Sequence, residues 1–423
     1  MHVLIVSQYF VPENFGINEI AHDLVDLGHR VTVLTGMPNY PSGRIQPGYG
    51  GLRVRRETIG GVSVVRVPIL PRGQGSFISL ALNYLSFAMI GSLLAPFIVR
   101  ESPEVILVYQ PSPLTVALPA LVLRFFRRIP IVLWVQDLWP ETLIAVNAVK
   151  SAAAVAAIRW LAVFVYRRCR IILAQSRAYV PRLEALGLQA ADIRYMPNTA
   201  PDHFRPLTPS SNAPERQLFA DGFNVVFAGN IGSQQDPETI LAAAEFLRNI
   251  PDIHFVIIGE GSFREWVATE IVKRQLSGTC RLLEWQPSEQ MPILFALADA
   301  LLITLLPSCI SGLTIPSKMQ SYLACGRPII GAVDGETGRI INESGGGIAC
   351  PSGDPQALAN AAVTIHRLSP EQREAMGRAA RTYFEKHFKR EALLQSLNEC
   401  LMEASKGGFP RKSPLRGERI SAE

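Results

Sequence analysis

The chain has 423 residues, of which 48% are hydrophobic and 18% are charged, and its formal net charge is +5. This length exceeds what one hydrophobic core supports and predicts two domains, while the mild positive charge favours an anionic membrane surface or phosphorylated substrates as partners. Nucleic-acid binding, a metal site and disulfides are not expected, because basic residues do not cluster with aromatic ones and the six cysteines lack the spacing of such sites.

The first predicted elements are a buried strand at 2–9, a loop and a helix, and a second strand at 31–34. This order predicts a parallel doubly wound sheet, in which ligands bind outside the carboxyl ends of the strands. Glu13, Asn14 and Gly16 lie in the loop at that edge. The glycine would let a ligand approach the backbone, although a simple helix-entry glycine fits equally well. The N-terminus does not resemble a signal peptide, so a cytoplasmic location is predicted.

A loop rich in proline and glycine, residues 36–43, follows the second strand at the same edge of the sheet. Asn39 and Tyr40 in this loop could contact a sugar or an acceptor, but a loop that merely turns the chain would look similar. Both residues are therefore candidates for substrate binding.

Residues 77–99 contain no charged side chain and are long enough to cross a membrane. The strand pattern resumes at 104–109, however, so a crossing would place parts of one sheet on opposite sides of the bilayer. A helix lying on the inner face of the membrane is the better prediction, and the mixed arginine and apolar segments 124–128 and 160–168 favour it. The alternative is a buried core helix with solvated arginines.

Polar residues follow the buried strand at 131–135. Asp137 could orient an acceptor hydroxyl or take its proton, and Gln136 could hydrogen-bond a sugar. The alternative for Asp137 is the N-cap of the next helix. Asn198 closes this half of the chain and occupies a comparable position.

A polar stretch rich in proline, residues 200–215, indicates a linker to a second alternating series of strands and helices. Glycine turns follow its first two strands and contain Asn230 and the run from Gly259 through Glu260 to Arg264, and a later strand ends at Trp285. Two sheets with glycine turns facing a common cleft indicate a nucleotide-dependent enzyme. The predicted divisions are an N-terminal domain at 1–204, a C-terminal domain at 216–385, a helix at 386–405 and a disordered basic tail at 406–423.

The stretch from Pro307 to Ile330 combines a loop, an apolar helix and a strand. Pro316, Ser317 and Lys318 stand at the helix N-terminus, where unpaired N–H groups and the helix dipole favour an anion such as a phosphate. An ordinary loop-helix-strand unit, with Ser317 as the N-cap, is the alternative.

Several motifs together resemble glycosyltransferase family 4, the retaining GT-B transferases, over roughly residues 1 to 400. Those shared with the family are MPN at 196–198, GEG at 259–261 and the segment from PSK to GRPII at 316–330. Four more resemble the branch that transfers N-acetyl-L-fucosamine or related aminodeoxy sugars during O-antigen and capsule assembly, namely SQYFVPENFGIN at 7–18, TGMPNYPSGRI at 35–45, WVQDLWPE at 134–141 and AGNIG at 228–232.

This resemblance implies a fold of two Rossmann-like α/β domains that face a central cleft. It also implies retaining transfer from a UDP-sugar, which is a substrate and leaves the enzyme without a cofactor. The C-terminal domain would hold the donor, and the membrane-facing N-terminal domain would receive a polyprenyl-diphosphate-linked sugar as the acceptor.

The chain departs from the family pattern at three places. The usual pair of glutamates, separated by seven residues, would fall on Leu313 and Ser321. The usual arginine and lysine would fall near Asn230 and near Gln235 or Asp236, and the usual His-Asp pair is represented by Gln136-Asp137. Other groups must therefore contact the ribose and the diphosphate, and Lys318 and Arg264 are the candidate positive groups for the diphosphate.

Departure of UDP places negative charge on the β-phosphate, so preorganised donors such as Lys318, Gly16 and the helix N-terminus after Pro316 are expected to drive a metal-free transfer. The candidates are, for catalysis, Asp137, Lys318 and Gly16, and, for substrate binding, Glu13, Asn14, Asn39, Tyr40, Gln136, Asn198, Asn230, Gly259, Glu260, Arg264, Trp285, Pro316, Ser317 and Ser321. A GT-B UDP-sugar 2-epimerase and a catalytically silent membrane scaffold remain open as alternatives.

Overall fold

The computed structural model describes residues 1–73, 77–145, 149, 151–308 and 310–407 of the chain. The first half of the chain forms one sheet and the second half forms another. Cys309 and most of the predicted basic tail, from residue 408 onward, lie outside the described residues.

The first sheet has eight strands. They are β1 (His2–Val6), β2 (Arg30–Gly36), β3 (Arg55–Ile59), β4 (Val62–Val67), β5 (Val105–Gln110), β6 (Ile131–Val135), β7 (Ile171–Ala174) and β8 (Ile193–Tyr195). Their order is β3-β4-β2-β1-β5-β6-β7-β8, and β3 pairs antiparallel with β4 while the other neighbours are parallel. Central strands are almost wholly apolar because helices cover both faces of the sheet.

The second sheet has six strands, all parallel. They are β9 (Phe223–Ala228), β10 (Ile253–Ile258), β11 (Cys280–Leu283), β12 (Ala300–Thr304), β13 (Ile329–Ala332) and β14 (Gly347–Cys350). Their order is β11-β10-β9-β12-β13-β14. The chain reverses direction across the sheet between β9 and β12, which is where ligands bind in open α/β sheets.

Helices follow most of these strands. They are α1 (Ile17–Asp26), α2 (Phe77–Ile98), α3 (Leu118–Arg127), α4 (Glu141–Ala145), α5 (Ala152–Tyr166), α6 (Tyr179–Ala185), α7 (Pro237–Phe246), α8 (Arg264–Lys273), α9 (Met291–Leu297), α10 (Ser317–Cys325), α11 (Gly335–Ser344), α12 (Pro355–His366), α13 (Pro370–His387) and α14 (Arg390–Lys406). Apolar side chains fill both faces of each sheet. The fold is therefore the predicted pair of Rossmann-like domains.

The last helix, α14, returns to the first half of the molecule. Leu397 and Leu401 are buried in the core beneath the first sheet. The Arg390 guanidinium donates to both Asp23 carboxylate oxygens on α1, at 2.7 and 2.8 Å. The helix predicted at 386–405 is thus observed at Arg390–Lys406, and it holds the two halves of the chain together.

The charge-free segment forms α2, which is the one helix among the described residues that is long and apolar enough to cross a membrane. Only 22% of its most apolar window is buried. One side of α2 packs on α3. The two helices are close at Gly91, where an added methyl group would lie only 2.9 Å from the Pro119 side chain. The alternative of a buried core helix is therefore wrong, because the opposite side of α2 is exposed.

Candidate active site

The carboxyl ends of both sheets lie at the boundary between the two halves of the chain. The Tyr179 hydroxyl on α6 lies 3.1 Å from the Thr314 hydroxyl, in the loop before α10. This hydrogen bond joins the strand-end loops of the first sheet to those of the second. The predicted catalytic residues Asp137 and Lys318 approach the same boundary from opposite sides.

Asp137 follows β6 and lies in an environment that disfavours its charge. Burial raises the pKa of its carboxyl to about 7, and a hydrogen bond from the Ser112 side chain opposes this shift. The Gln110 amide donates to the Asp137 carbonyl at 2.9 Å and holds the backbone in place. Tyr84, Tyr109 and Tyr179 all interact electrostatically with the carboxylate. A carboxyl that titrates near neutral pH can accept a proton from a hydroxyl.

The alternative that Asp137 caps a helix is wrong. The next helix, α4, begins at Glu141, four positions later. The Asp137 side chain is therefore not engaged with the first turn of a helix; it is half-buried and its partner is the Ser112 side chain.

Gly16 lies at the start of α1. Its backbone is helical, with φ −56° and ψ −23°, so its conformation does not require glycine. A methyl group added at Gly16 would lie 3.9 Å from the Tyr109 hydroxyl, which neighbours Asp137. The Tyr109 hydroxyl therefore links the surroundings of Gly16 to those of Asp137.

Glu13 and Asn39 have structural surroundings that the sequence did not indicate. The buried Glu13 carboxylate accepts hydrogen bonds from the backbone N–H groups of Asn39 and Tyr40, at 2.8 and 2.7 Å. The Asn39 side chain is fully buried and accepts from the backbone N–H of Arg72 at 3.0 Å. Because both side chains are occupied in joining loops, we assign them to the support of the site rather than to contact with substrate.

Aromatic side chains of these loops pack together, with Tyr9 buried and Tyr40 exposed. Tyr9 and Phe15 are stacked with ring centroids 4.8 Å apart, and Tyr40 lies 5.3 Å from Phe15. Tyr40 is 37% exposed, and Asn14 and Gly16 are also exposed. These groups remain open to a ligand.

Side-chain amides follow five neighbouring strands of the first sheet. They belong to Gln8 after β1, Gln110 at the end of β5, Gln136 after β6, Gln175 after β7 and Asn198 after β8. The Asn198 amide donates to Gln136 Oε1 at 2.7 Å. All four glutamines are buried, and each has one amide atom without a hydrogen-bond partner. Sequence reasoning selected only Gln136 and Asn198, although a glutamine recurring at strand ends was a readable signal.

Lys318 stands in the first turn of α10 and faces the end of β9. Its amine donates to Gln235 Oε1 at 2.7 Å and lies 3.8 Å from the centre of the Phe227 ring. Burial lowers the pKa of the amine to about 7, although part of the side chain remains accessible. A methyl group added at Gly229 would lie 3.6 Å from the amine. A cation beside a glycine turn can contact a diphosphate.

Pro316, not Ser317, is the N-cap of α10, and no side chain caps the helix. The alternative that Ser317 serves as the N-cap is therefore wrong. Ser317 is exposed at the first helical position, and Ser321 is half-buried one turn later. The first-turn N–H groups of α10 keep their capacity to bind an anion.

The glycine turns of the second sheet cross at close range. Gly259 has φ +146°, and an added methyl group would lie 1.9 Å from the Gly229 carbonyl oxygen. Gly261 has φ +153° and would meet the Ile231 carbonyl at 2.3 Å. The loop after β10 lies directly against the loop after β9, and only glycine fits at these two positions because a side chain would collide with the facing backbone.

A cavity of about 560 Å³ lies beyond these turns and has an acidic lining. It is lined by Glu260, Gly261, Ser262, Arg264, Glu265 and Glu284. The Arg264 guanidinium lies 3.2 Å from the Glu260 carboxylate, which neutralises it. The cavity is therefore better suited to ribose hydroxyls than to phosphates, and the predicted phosphate contact for Arg264 is weakened. Trp285, next to Glu284 in the chain, is 59% exposed, and Asn230 is exposed at the loop after β9.

Two family models match the chain. The model described as "Glycosyl transferase 4-like domain" matches residues 15–199. The model described as "Glycosyl transferases group 1" matches residues 211–383. The two matches meet near the predicted linker.

Two named relatives are similar over most of the chain. "Probable glycosyltransferase WbjE" of Pseudomonas aeruginosa is 26% identical over 306 residues, which cover 69% of this chain and 72% of that protein. "Putative colanic acid biosynthesis glycosyl transferase WcaI" of Escherichia coli K12 is 23% identical over 344 residues, which cover 77% and 82% respectively.

Solved structures share the whole fold at low sequence identity. Anabaena Alr3699/HepE in complex with UDP has a TM-score of 0.70 and 16% identity, covering 95% of this chain and 99% of that one. WaaG, a glycosyltransferase involved in lipopolysaccharide biosynthesis, has a TM-score of 0.64 and 13% identity, covering 95% and 99%. At these identities the likeness concerns the fold.

Proposed function

Because this chain is a GT-B glycosyltransferase related to enzymes of polysaccharide biosynthesis, we propose that it moves an aminodeoxy sugar from a UDP-sugar to a lipid-linked sugar. The donor would be of the N-acetyl-L-fucosamine type, as the motif resemblance suggests. The reaction would retain the anomeric configuration, need no metal, and take place on the inner face of the cytoplasmic membrane during surface polysaccharide synthesis.

The proposal rests on a carboxylate and an amine that lie on opposite sides of the boundary between the two halves of the molecule. Asp137 belongs to the first sheet and Lys318 to the second, and the Tyr179–Thr314 hydrogen bond lies between their loops. A cation and a proton acceptor on opposite walls suit a reaction between an anionic donor and a hydroxyl acceptor.

The second half of the molecule supports a UDP-sugar donor. Lys318 and the N-terminus of α10 offer positive groups for the diphosphate, beside the glycine turn at Gly229. The acidic cavity near Glu260 offers acceptors for ribose hydroxyls. The HepE structure, which shares the fold, contains UDP, and this supports the same donor nucleotide here.

The first half supports attachment to a membrane through one apolar face. This apolar face consists of large exposed side chains on α2, with others on α3 and α5, namely Phe77, Ile78, Leu82, Leu85, Met89, Leu93, Phe97, Phe125, Phe126 and Trp160. Arg168 stacks on Phe164 at 3.5 Å, and Arg127 donates to the Pro96 carbonyl at 2.6 Å. Aromatic and aliphatic side chains with arginines at their margin match the interface of an anionic bilayer.

In the proposed reaction the bond between the sugar C1 and the β-phosphate oxygen breaks, and a bond from C1 to the acceptor oxygen forms. Lys318, Gly16 and the N-terminus of α10 stabilise the charge on the departing UDP. Asp137 contacts the acceptor hydroxyl and takes its proton, because its raised pKa suits that exchange near neutral pH.

UDP release by the purified protein tests the proposal. A panel of UDP-aminodeoxy sugars is incubated in EDTA with and without a polyprenyl-diphosphate-linked N-acetylglucosamine acceptor. We expect acceptor-dependent release that survives EDTA and is lost in Lys318→Ala. Conversion of the donor sugar without an acceptor would indicate the epimerase instead, and UDP binding without turnover would indicate the silent scaffold.

A further inference from the structure

Arg72 is a partly buried cation that pairs with no carboxylate among the described residues. It lies in the loop between β4 and α2. Its guanidinium donates to the Tyr9 hydroxyl at 3.2 Å and lies 5.4 Å from the centre of the Tyr40 ring. Tyr84, on α2, is its third aromatic neighbour.

A guanidinium removed from water without a counter-ion costs free energy unless a ligand supplies the charge. Arg66, in the same half of the chain, shows how a buried guanidinium is usually neutralised, since it is fully buried and lies 2.5 Å from the Glu57 carboxylate. Among the described residues, the groups that interact with the Arg72 charge are the phenols of Tyr9, Tyr40 and Tyr84. Burial raises the pKa of Tyr9 and of Tyr84, which keeps these two phenols neutral. No carboxylate of the described residues neutralises the Arg72 guanidinium, so an anionic ligand can do so.

The position of Arg72 indicates which anion this is. It lies just before α2, where Phe77 and Ile78 of the apolar face are 60% and 70% exposed. On its other side, Tyr84 interacts electrostatically with both Arg72 and Asp137. Arg72 therefore precedes the apolar face in the chain and is linked through Tyr84 to the Asp137 carboxylate.

We propose that Arg72, with Tyr9, Tyr40 and Tyr84, binds the diphosphate of the acceptor lipid. A planar guanidinium donates two parallel hydrogen bonds to phosphate oxygens, and phenol hydroxyls can donate further ones. The polyprenyl chain then lies along the apolar face, and the sugar beyond the diphosphate reaches Asp137. The inference rests on the proposed function in requiring a lipid-linked acceptor.

Binding of farnesyl diphosphate, farnesyl phosphate and farnesol to the full-length protein in detergent tests this site without any need for turnover. We expect the diphosphate to bind at least tenfold more tightly than farnesol. Arg72→Met should abolish this preference, and Arg72→Lys should restore part of it. Arg55→Met is the matched control, since Arg55 also stacks on a tyrosine, Tyr49, at 4.5 Å but is paired with Glu57.

Vesicles of neutral lipid with and without phosphatidylglycerol distinguish the diphosphate from a phospholipid headgroup. The proposal expects Arg72→Met to bind both vesicles as the unaltered protein does. Loss of anionic-vesicle binding together with loss of farnesyl diphosphate binding would assign Arg72 to the headgroup and overturn it. Equal weakening of the diphosphate and of farnesol, or a lowered melting temperature that Arg72→Lys does not repair, would assign a structural role instead.

Transfer assays separate this site from the proposed function. With a diphosphate-linked acceptor and an alkyl glycoside of the same sugar, Arg72→Met should raise KM at least tenfold for the first only. An equal effect on both acceptors overturns the diphosphate site and leaves the transferase intact. No transfer to either acceptor by the unaltered protein, with farnesyl diphosphate binding still dependent on Arg72, overturns the function and leaves the site.

Discussion

Lys318 combines a cationic side chain with surroundings that disfavour its charge. In the free protein its neighbours are the neutral amide of Gln235 and the face of Phe227. Burial lowers the pKa of the amine to about 7, so the amine titrates near neutral pH. A bound diphosphate would stabilise the ammonium and raise its pKa again.

This linkage predicts that donor binding depends on pH. Above pH 7 the free amine loses its proton while the complex keeps it, so binding takes up a proton. The Kd of a UDP-sugar, whose diphosphate does not titrate in this range, should be flat below pH 7. It should rise by up to about tenfold per pH unit between about pH 7 and 8.5.

Calorimetric titrations at several pH values measure this dependence. Lys318→Met should bind the UDP-sugar more weakly and with a flat pH profile. A profile that has the same slope in the variant and in the unaltered protein would place the titrating group elsewhere.

Asp137 is expected to produce the acidic limb in the pH profile of kcat/KM for the acceptor. Burial raises the pKa of its carboxyl to about 7, and only the ionised form accepts a proton. With saturating donor, kcat/KM for the acceptor should therefore fall about tenfold per pH unit below pH 7. Asp137→Asn should lower it by about 10²–10⁴-fold and remove the acidic limb. Acceptor-dependent UDP release between pH 5 and 7 measures both effects, and an acidic limb that persists in the variant would exclude Asp137 as its source.

A position that depends on one element can be predicted from the sequence, whereas a contact between distant segments cannot. Asp137 follows a strand and Lys318 begins a helix, and both positions are readable from local pattern. Glu13 is predicted to bind substrate from its loop position, and its hydrogen-bond donors, the N–H groups of a loop 26 and 27 positions away, are invisible in the sequence. Arg72 was overlooked because its aromatic neighbours come from three separate segments.

At the scale of elements, the two glycine turns of the second sheet depend on each other. Gly259 has φ +146°, and Gly259→Ala places a methyl group 1.9 Å from the Gly229 carbonyl oxygen. Neither backbone segment can move away without strain. We expect a loss of at least about 2 kcal/mol in the stability of the second half and much weaker UDP-sugar binding. Thermal unfolding and titration with a UDP-sugar measure these effects.

Gly345→Ala is the control for backbone strain alone. Gly345 also has a positive φ, +62°, but an added methyl group would have no neighbour closer than 3.9 Å. This variant should lose about 1 kcal/mol and keep its affinity for the UDP-sugar. Equal losses in the two variants would show that the crossing of the loops does not matter.

The apolar face of α2 gives a prediction about a whole helix. Met89 and Leu93 are 63% and 69% exposed, so replacing both with glutamate removes apolar contact with a bilayer without disturbing the core. Binding to anionic vesicles should fall at least about tenfold while the melting temperature stays the same. Val272→Glu, at an apolar residue of α8 that is 72% exposed, should leave vesicle binding unchanged. Unaltered vesicle binding by the double variant would remove α2 from the interface.

Element patterns were largely readable because parallel strands covered on both sides are continuously apolar. The same rule explains one ambiguity, since α2 is apolar all round and its sequence fits a core helix, a membrane span and an interfacial helix alike. The packing of Gly91 on Pro119 on one side and the exposure of Phe97 on the other are tertiary facts. No helical periodicity in the sequence could separate them.

At the scale of the whole molecule, α14 decides how the halves are joined. It follows the helices of the second half in sequence and buries its apolar side chains beneath the first sheet. Arg390 is central to this contact, because it bonds Asp23 on α1 and lies 3.1 Å from both Glu19 and Asp202. The pairing with Asp23 spans 367 positions, so no local pattern could have predicted it.

The two halves of the molecule are expected to unfold cooperatively because α14 joins them. The Arg390 and Asp23 side chains are only 18% and 14% exposed, so Arg390→Met leaves a partly desolvated carboxylate behind and should cost about 1–3 kcal/mol. This free-energy cost weakens the contact between the two halves more than it weakens the hydrophobic core of either half. Differential scanning calorimetry should therefore show one cooperative transition in the unaltered protein and a broadened or split one in the variant. Arg378→Met is the control, because Arg378 pairs only with its own helix neighbour Glu374 at an exposed site, and it should leave the transition unchanged. A single sharp transition in Arg390→Met, merely shifted to lower temperature, would mean that the two halves remain coupled through the Tyr179–Thr314 boundary and the linker without help from α14.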